Sequence, residues 1–295
     1  MADDDWFPFP TLPQKLDDGR FTLGQLLGSG AMAQVFKAHD ATIDTWVGLK
    51  LMEARAFDKS ADTARFLAEA KVMSQMDHPR IARVLGVGKE QGYYWYAMQY
   101  LPGGTLRDLV KREGRLDGVR ALCLIHDILE GLEFVHAKGI IHRDIKSRNV
   151  LLDAQGRAVM VDFGLAHHPT GTVPFETRAD IGMGSVGYSA PEQRLRAASA
   201  DERADIFAVG ATLAFLLTAE RPDHLNLEES KRPENMYRGI PEPIRPIIAR
   251  AAAFEPDDRY RTATRMKEAV EKARLTLGWK PPNRLVQAIR GWFGG

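Results

Sequence analysis

Apolar residues change their spacing along this chain near position 105. Before it they come in short runs separated by turn residues: Phe21 to Leu27, Gln34 to Ala38, Trp46 to Met52, Val84 to Val87 and Tyr93 to Gln99. Runs of this length and composition predict strands. One stretch interrupts them, where Phe66, Ala70 and Met73 recur at helical spacing with Glu69 on an adjacent face, which predicts a helix. Beyond position 105 helical periods take over, clearest at Leu122, Ile125, Leu129, Leu132 and Val135, then through Ile206 to Leu217 and Pro243 to Phe254. A small strand-rich part therefore precedes a larger helical part, with Leu101-Pro102-Gly103-Gly104 as connector. No internal repeat or low-complexity tract breaks the pattern.

The two ends differ from the middle. Residues 1–20 combine Asp3, Asp4, Asp5, Asp17 and Asp18 with Pro8, Pro10 and Pro13, which predicts an acidic, partly extended arm whose Trp6, Phe7 and Phe9 could dock on the body. Residues 274–295 carry Arg274, Lys280, Arg284 and Arg290 without an acidic residue, and Leu285, Ile289 and Trp292 share one helical face. This basic tail or helix is expected to lie on the helical part, on a partner or on a membrane surface.

Composition narrows the function. With 295 residues and 44% hydrophobic content, the chain can bury a substantial core. Forty basic residues against 39 acidic give a net charge of +1, so bulk charge offers no argument for nucleic acid or an anionic membrane. Cys123 stands alone, which excludes an internal disulfide and an all-thiolate metal site and suits a reducing compartment. The acidic start resembles neither a signal nor a transit peptide. No stretch approaches the roughly 20 apolar residues needed to cross a bilayer, so a cytoplasmic protein is expected.

Three segments carry candidate chemistry. Leu27-Gly28-Ser29-Gly30-Ala31-Met32-Ala33-Gln34-Val35 lies between two predicted strands, where glycines let backbone amides approach phosphate oxygens. A strand follows and no Gly-Lys-Ser or Gly-Lys-Thr appears, so it is neither a Rossmann turn nor a Walker loop. Lys50 ends the apolar run Val47-Gly48-Leu49 and needs a buried anion, which Glu69 can supply. The densest segment is His142-Arg143-Asp144-Ile145-Lys146-Ser147-Arg148-Asn149, followed by Asp162-Phe163-Gly164. It offers a carboxylate to accept a hydroxyl proton, an ammonium for a phosphate, and an amide with a second carboxylate for magnesium. His167 and His168 lack a third ligand at metal spacing and read as loop histidines.

With these motifs in this order, the chain resembles the protein kinases, in particular the bacterial Ser/Thr kinases of eukaryotic (Hanks) type, over about residues 21–273. The resemblance implies an α+β, bilobal protein-kinase fold with a strand-rich N-lobe (21–101) and a mainly helical C-lobe (102–273). It implies that Asp144 orients the attacking hydroxyl and takes its proton, Lys146 neutralises the transferring group, and Asn149 and Asp162 hold Mg2+ for ATP. Lys50, paired with Glu69, would grip phosphates beneath Gly28 and Gly30. Leu27 and Val35 would roof the adenine, Leu151 floor it, and Met98 guard the back; Gln99 and Leu101 would read its edge and Thr105 face the ribose. Ala33 replaces a third glycine, Gly48 a usual alanine that leaves a roomier pocket, and Arg80 a common asparagine.

The same resemblance assigns Ser185 to a bridge between Asp144 and Lys146, Glu192 to a pair with Arg259, and Asp205 to bracing the catalytic loop. Arg143 marks the subclass that orders its activation segment through a phosphorylated residue, with Thr177 first and Thr172 and Thr170 behind. The expected partners are protein substrates with Ser/Thr acceptors and the chain itself in autophosphorylation, compatible with a transient dimer, with no nucleic acid and no transmembrane segment. Two other readings remain at this point: a pseudokinase scaffold and a small-molecule phosphotransferase. The full set of charged motif residues argues against the first, and Ala190-Pro191-Glu192 with Asp205 and Arg259 against the second.

Overall fold

The structure, a computed structural model, describes residues 12–30, 33–53, 60–163, 187–195, 200–227, 229–231, 233 and 235–280. Five of the strands are those the apolar runs predict: β2 (Phe21–Ser29), β3 (Gln34–Asp40), β4 (Thr45–Glu53), β5 (Val84–Glu90) and β6 (Tyr93–Gln99). A short β1 (Lys15–Leu16) precedes them, pairing Lys15 with Thr22 and Leu16 with Phe21. The stretch read as an arm therefore supplies the edge of the sheet, and Leu16 is fully buried. Asp17 and Asp18 turn the chain between β1 and β2 with positive φ. The antiparallel sheet runs β1-β2-β3-β4-β6-β5.

Its central strands are buried on both faces, which explains their nearly unbroken apolar sequences. Side chains alternate across a sheet: Val47, Leu49 and Leu51 with Tyr93, Trp95 and Ala97 form one small core. Lys50 and Met52 with Tyr96 and Met98 alternate with these, and Met52, Tyr96 and Met98 join the main core. Helix α1 (Ser60–Ser74) packs Phe66, Ala70 and Met73 into the same core.

Beyond the connector the chain forms α2 (Leu106–Glu113), α3 (Gly118–Ala137), the hairpin β7 (Val150–Leu152) and β8 (Ala158–Met160), α4 (Pro191–Leu195), α5 (Arg203–Thr218), α6 (Arg245–Ala251) and α7 (Ala263–Thr276). Pro243 to Phe254 is helical only in part, a 3-10 turn at Glu242–Ile244 leading into the shorter α6. Asp117 caps α3 by accepting from the Arg120 amide, and its apolar stripe is buried as the spacing predicts. Every residue from Ala204 to Leu217 is buried, so α5 is the central post of this lobe rather than an amphipathic surface helix.

Main chain ties the connector after β6 to the β7–β8 hairpin. The Gly103 amide donates to the Leu152 carbonyl at 3.0 Å and the Leu152 amide to Gly104 at 2.9 Å. A Cβ on Gly103 would stand 2.5 Å from the Leu152 side chain, so only glycine allows this approach. Among the described residues, no helix is long and apolar enough to cross a membrane.

Candidate active site

A cleft of about 180 Å3 opens between the sheet and the β7–β8 hairpin. Leu27, Gly28, Val35, Lys50, Met98, Gln99, Leu101, Thr105, Asn149, Leu151 and Asp162 all line it. Gly30 does not; its amide donates to the Ala33 carbonyl at 2.9 Å and closes the turn of the glycine loop. A larger, open concavity of about 810 Å3 lies beside α7, lined by Arg250, Arg261, Arg265 and Lys272 among others. It holds none of the predicted catalytic, nucleotide-binding or metal-binding residues, so the smaller cleft is the candidate site.

Two details stand out at the end of the cleft where adenine is expected. The space above Gly48 is not open: a Cβ there would stand 3.3 Å from Met98 side-chain atoms, so Met98 has taken up the room an alanine would need. Thr105 caps α2, its hydroxyl donating to Asp108 Oδ2 at 2.6 Å while accepting from the Asp108 amide. That capping box commits the hydroxyl proton within the helix terminus.

At the other end, register places Lys50 opposite Tyr96 on neighbouring strands. Lys50 Nζ donates to Glu69 Oε1 at 2.9 Å and Oε2 at 3.1 Å, and it also contacts the Asp162 carboxylate. Tyr96 adds a donor, its hydroxyl 2.5 Å from Glu69 Oε1. Burial alone would depress the Lys50 ammonium, but Tyr96, Asp162 and Glu69 overturn that and hold its proton above the usual lysine range. Two carboxylates then share one ammonium. Burial and the Asp162 charge push Glu69 up, whereas for Asp162 Lys50 outweighs burial and holds it below the usual range.

The catalytic loop is built around a carboxylate and two neighbours. Lys146 Nζ donates to both Asp144 oxygens at 2.8 and 2.7 Å. Asn149 Nδ2 donates to Asp144 Oδ2 at 2.8 Å and to its carbonyl at 3.0 Å. The amide nitrogen of Asn149 is thereby spent, which leaves its oxygen, with the Asp162 carboxylate, as the hard donors a magnesium ion prefers. Burial raises Asp144 despite Lys146. Arg143 and Asp162 both adopt left-handed backbone, φ 66° and 67°, a strain that persists only where surroundings enforce it.

Asp205, wholly buried, does much of the enforcing. It accepts from the His142 amide at 2.9 Å, the Arg143 amide at 2.8 Å and His136 Nε2 at 2.9 Å. Burial opposes its charge, but these partners hold it below the usual carboxylate range. Phe163 packs on the His142 ring, centroids 4.4 Å apart, beside Asp162. Arg259 and Glu192 form the expected pair, with oxygens at 2.6 and 2.8 Å and no exposure of the arginine side chain.

Ser185, Thr170, Thr172, Thr177, His167 and His168 lie outside the described residues, as does the apolar face of the C-terminal tail. Sequence reasoning missed Tyr96, whose only signal is its place two residues before Met98 on the same strand face. A separate group, His126, Asp127 and Glu130, has metal-like proximity. Arg157 pairs with Asp127, and Arg80 reaches Glu130 at 3.2 Å, so arginines already neutralise it.

A model of the protein kinase domain matches residues 21–277. The chain is 32% identical over 266 residues to the serine/threonine-protein kinase PrkC of Bacillus subtilis, covering 86% of this chain and 40% of the relative. It is 31% identical over 277 residues to the probable serine/threonine-protein kinase PknB of Bifidobacterium longum, covering 87% and 40%. It is also 31% identical over 272 residues to the serine/threonine-protein kinase PknB of Mycobacterium tuberculosis, covering 87% and 43%. The chain thus spans about two fifths of the length of these relatives. With a family match across nearly all of both lobes, on a fold that gathers the glycine loop, Lys50, Asn149 and Asp162 around one cleft, the chain belongs to the protein kinase domain family.

Proposed function

We propose that the chain is a Ser/Thr protein kinase that transfers the γ-phosphoryl group of ATP to protein hydroxyls. The observation that carries this reading is the convergence of Lys50, Glu69 and Asp162 in one hydrogen-bonded group at the cleft that Asn149 also lines. The names of the similar proteins support Ser/Thr specificity.

Phosphoryl transfer asks the protein mainly for positioning and charge. Asp144 takes the proton of the acceptor hydroxyl; Lys146, now on Asp144, neutralises the group in flight. Lys50 grips the phosphates while Glu69 keeps it oriented. Asn149 and Asp162 would hold magnesium, which supplies Lewis-acid charge at the phosphate oxygens. Leu27, Val35, Met98 and Leu151 sandwich the adenine, Gln99 and Leu101 present main-chain groups to its edge, and Gly28 approaches the phosphates.

Replacing a general base costs on the order of 10²–10⁴ in rate. Asp144→Asn should therefore abolish ATP-dependent labelling of protein while nucleotide binding persists. Retained labelling in the variant would reject the role of Asp144. Thr177 is the proposed site of activating autophosphorylation, with Thr172 and Thr170 next, through a transient dimer and in a cytoplasmic setting. Phosphopeptides that map only elsewhere would remove that part.

A further inference from the structure

We propose that Tyr96 is a positioning residue for phosphoryl transfer: its hydroxyl holds Glu69, and through Glu69 the helix α1 and Lys50, in the arrangement that grips a triphosphate. This rests on the kinase reading above. Tyr96 lies directly across the β4–β6 ladder from Lys50, and Lys50 Nζ stands 5.4 Å from its ring centroid. Its hydroxyl donates to Glu69 Oε1 at 2.5 Å, the same oxygen that accepts from Lys50 at 2.9 Å. Tyr96 is 1% exposed and Glu69 5%. The ring also packs on Phe66, centroids 5.2 Å apart, three residues before Glu69 on α1. Ring and hydroxyl therefore address one face of one helix, since positions i and i+3 are neighbours on a helix surface.

The two donors to Glu69 differ in what else they must do. Lys50 already divides its ammonium between Glu69 and Asp162, and phosphate oxygens would compete for the same three N–H bonds. Among the described residues the Tyr96 hydroxyl has no such second duty. Its hydrogen bond keeps the buried Glu69 oxygen satisfied while Lys50 turns toward substrate, and a buried acceptor stripped of its donor bears the full cost of desolvation. A phenylalanine would fill the ring's space and leave Glu69 dependent on the residue it is meant to orient.

Tyr96→Phe in the full chain tests this. The expected result is a fall of about tenfold in kcat, with KM for magnesium-ATP within about twofold, because Lys50 alignment matters most in the transition state while the adenine contacts are untouched. Amide exchange in α1 of the nucleotide-free protein should also quicken relative to α3. In a Glu69→Ala background the same change should cost little more, since residues acting through one another are not additive. Unchanged kcat per folded molecule with wild-type exchange in α1 would overturn the proposal, as would a loss that adds in full to that of Glu69→Ala. If the wild-type protein itself turns over no ATP, the kinase reading fails, and the exchange measurement alone decides whether Tyr96 holds α1.

Discussion

In the small lobe the buried charges Lys50 and Glu69 hold each other, with Asp162, across a strand, a helix and the start of the activation segment. In the large lobe Asp205 and Arg259 spend most of their hydrogen bonds on main chain: Asp205 on the His142 and Arg143 amides, Arg259 on the Ala253, Phe254 and Arg203 carbonyls. A main-chain partner cannot rotate away, whereas a side chain can. The backbone around Asp144 is thus shaped by the fold, while the proposed phosphate grip is a cluster held only by side chains. Damage to the main-chain braces at Asp205 and Arg259 should be read in stability, and damage to the Lys50 cluster in rate.

The largest effect should come from Arg259→Leu, which leaves Glu192 and three carbonyls without their buried donor. Removing one partner of a buried pair costs about 3–5 kcal/mol, and urea unfolding should show a loss of that size. A loss under about 1 kcal/mol would erase the contrast between the lobes. Lys50→Met should instead cut turnover by on the order of 10²–10³. The melting temperature should fall less than in Arg259→Leu, because Glu69 keeps the Tyr96 hydroxyl as a donor; equal damage to folding would merge the two lobes' behaviour.

Two acid titrations probe the comparison more gently. Burial, with Arg274 and Lys267 nearby, pushes His126 down to about 4, so the folded protein keeps it neutral. The unfolded chain takes up that proton below about 6.5, so stability is complete above that pH and erodes as pH falls toward about 4. His126→Gln should shrink the drop in urea midpoint between about pH 7 and about pH 5; an unchanged drop would exonerate His126. Asp40 in the small lobe is held at about 2 by Arg20, and by Thr42. Its contribution is present above about 4 and vanishes as pH falls through about 2. Arg20→Met should produce the smallest change, a drop in urea midpoint present above about pH 4 that fades as pH falls through about 2, since Arg20 is partly exposed.

Much of this was legible beforehand. The central strands announced themselves because burial on both faces leaves an apolar run, and the motif residues because their order along the chain is specific. What stayed hidden lies in pairings across space. β7 and β8, three residues each, are too short to show a period. β1 was masked by the aspartates and prolines around it, some of which are its turn. The Tyr96 bond depends on the β4–β6 register and on where α1 settles, neither of which spacing reveals. Gly48 seemed to leave space only because sequence could not show Met98 filling it. The commitment of Thr105 to Asp108, by contrast, was readable as a Thr-x-x-Asp cap.

The most direct measurement is phosphosite mass spectrometry on the full chain after incubation with ATP and magnesium, beside Asp144→Asn treated identically. Phosphoserine or phosphothreonine should accumulate in the wild-type protein and be absent from the variant. No phosphorylation in either, or equal phosphorylation in both, would contradict the proposed catalytic role of Asp144.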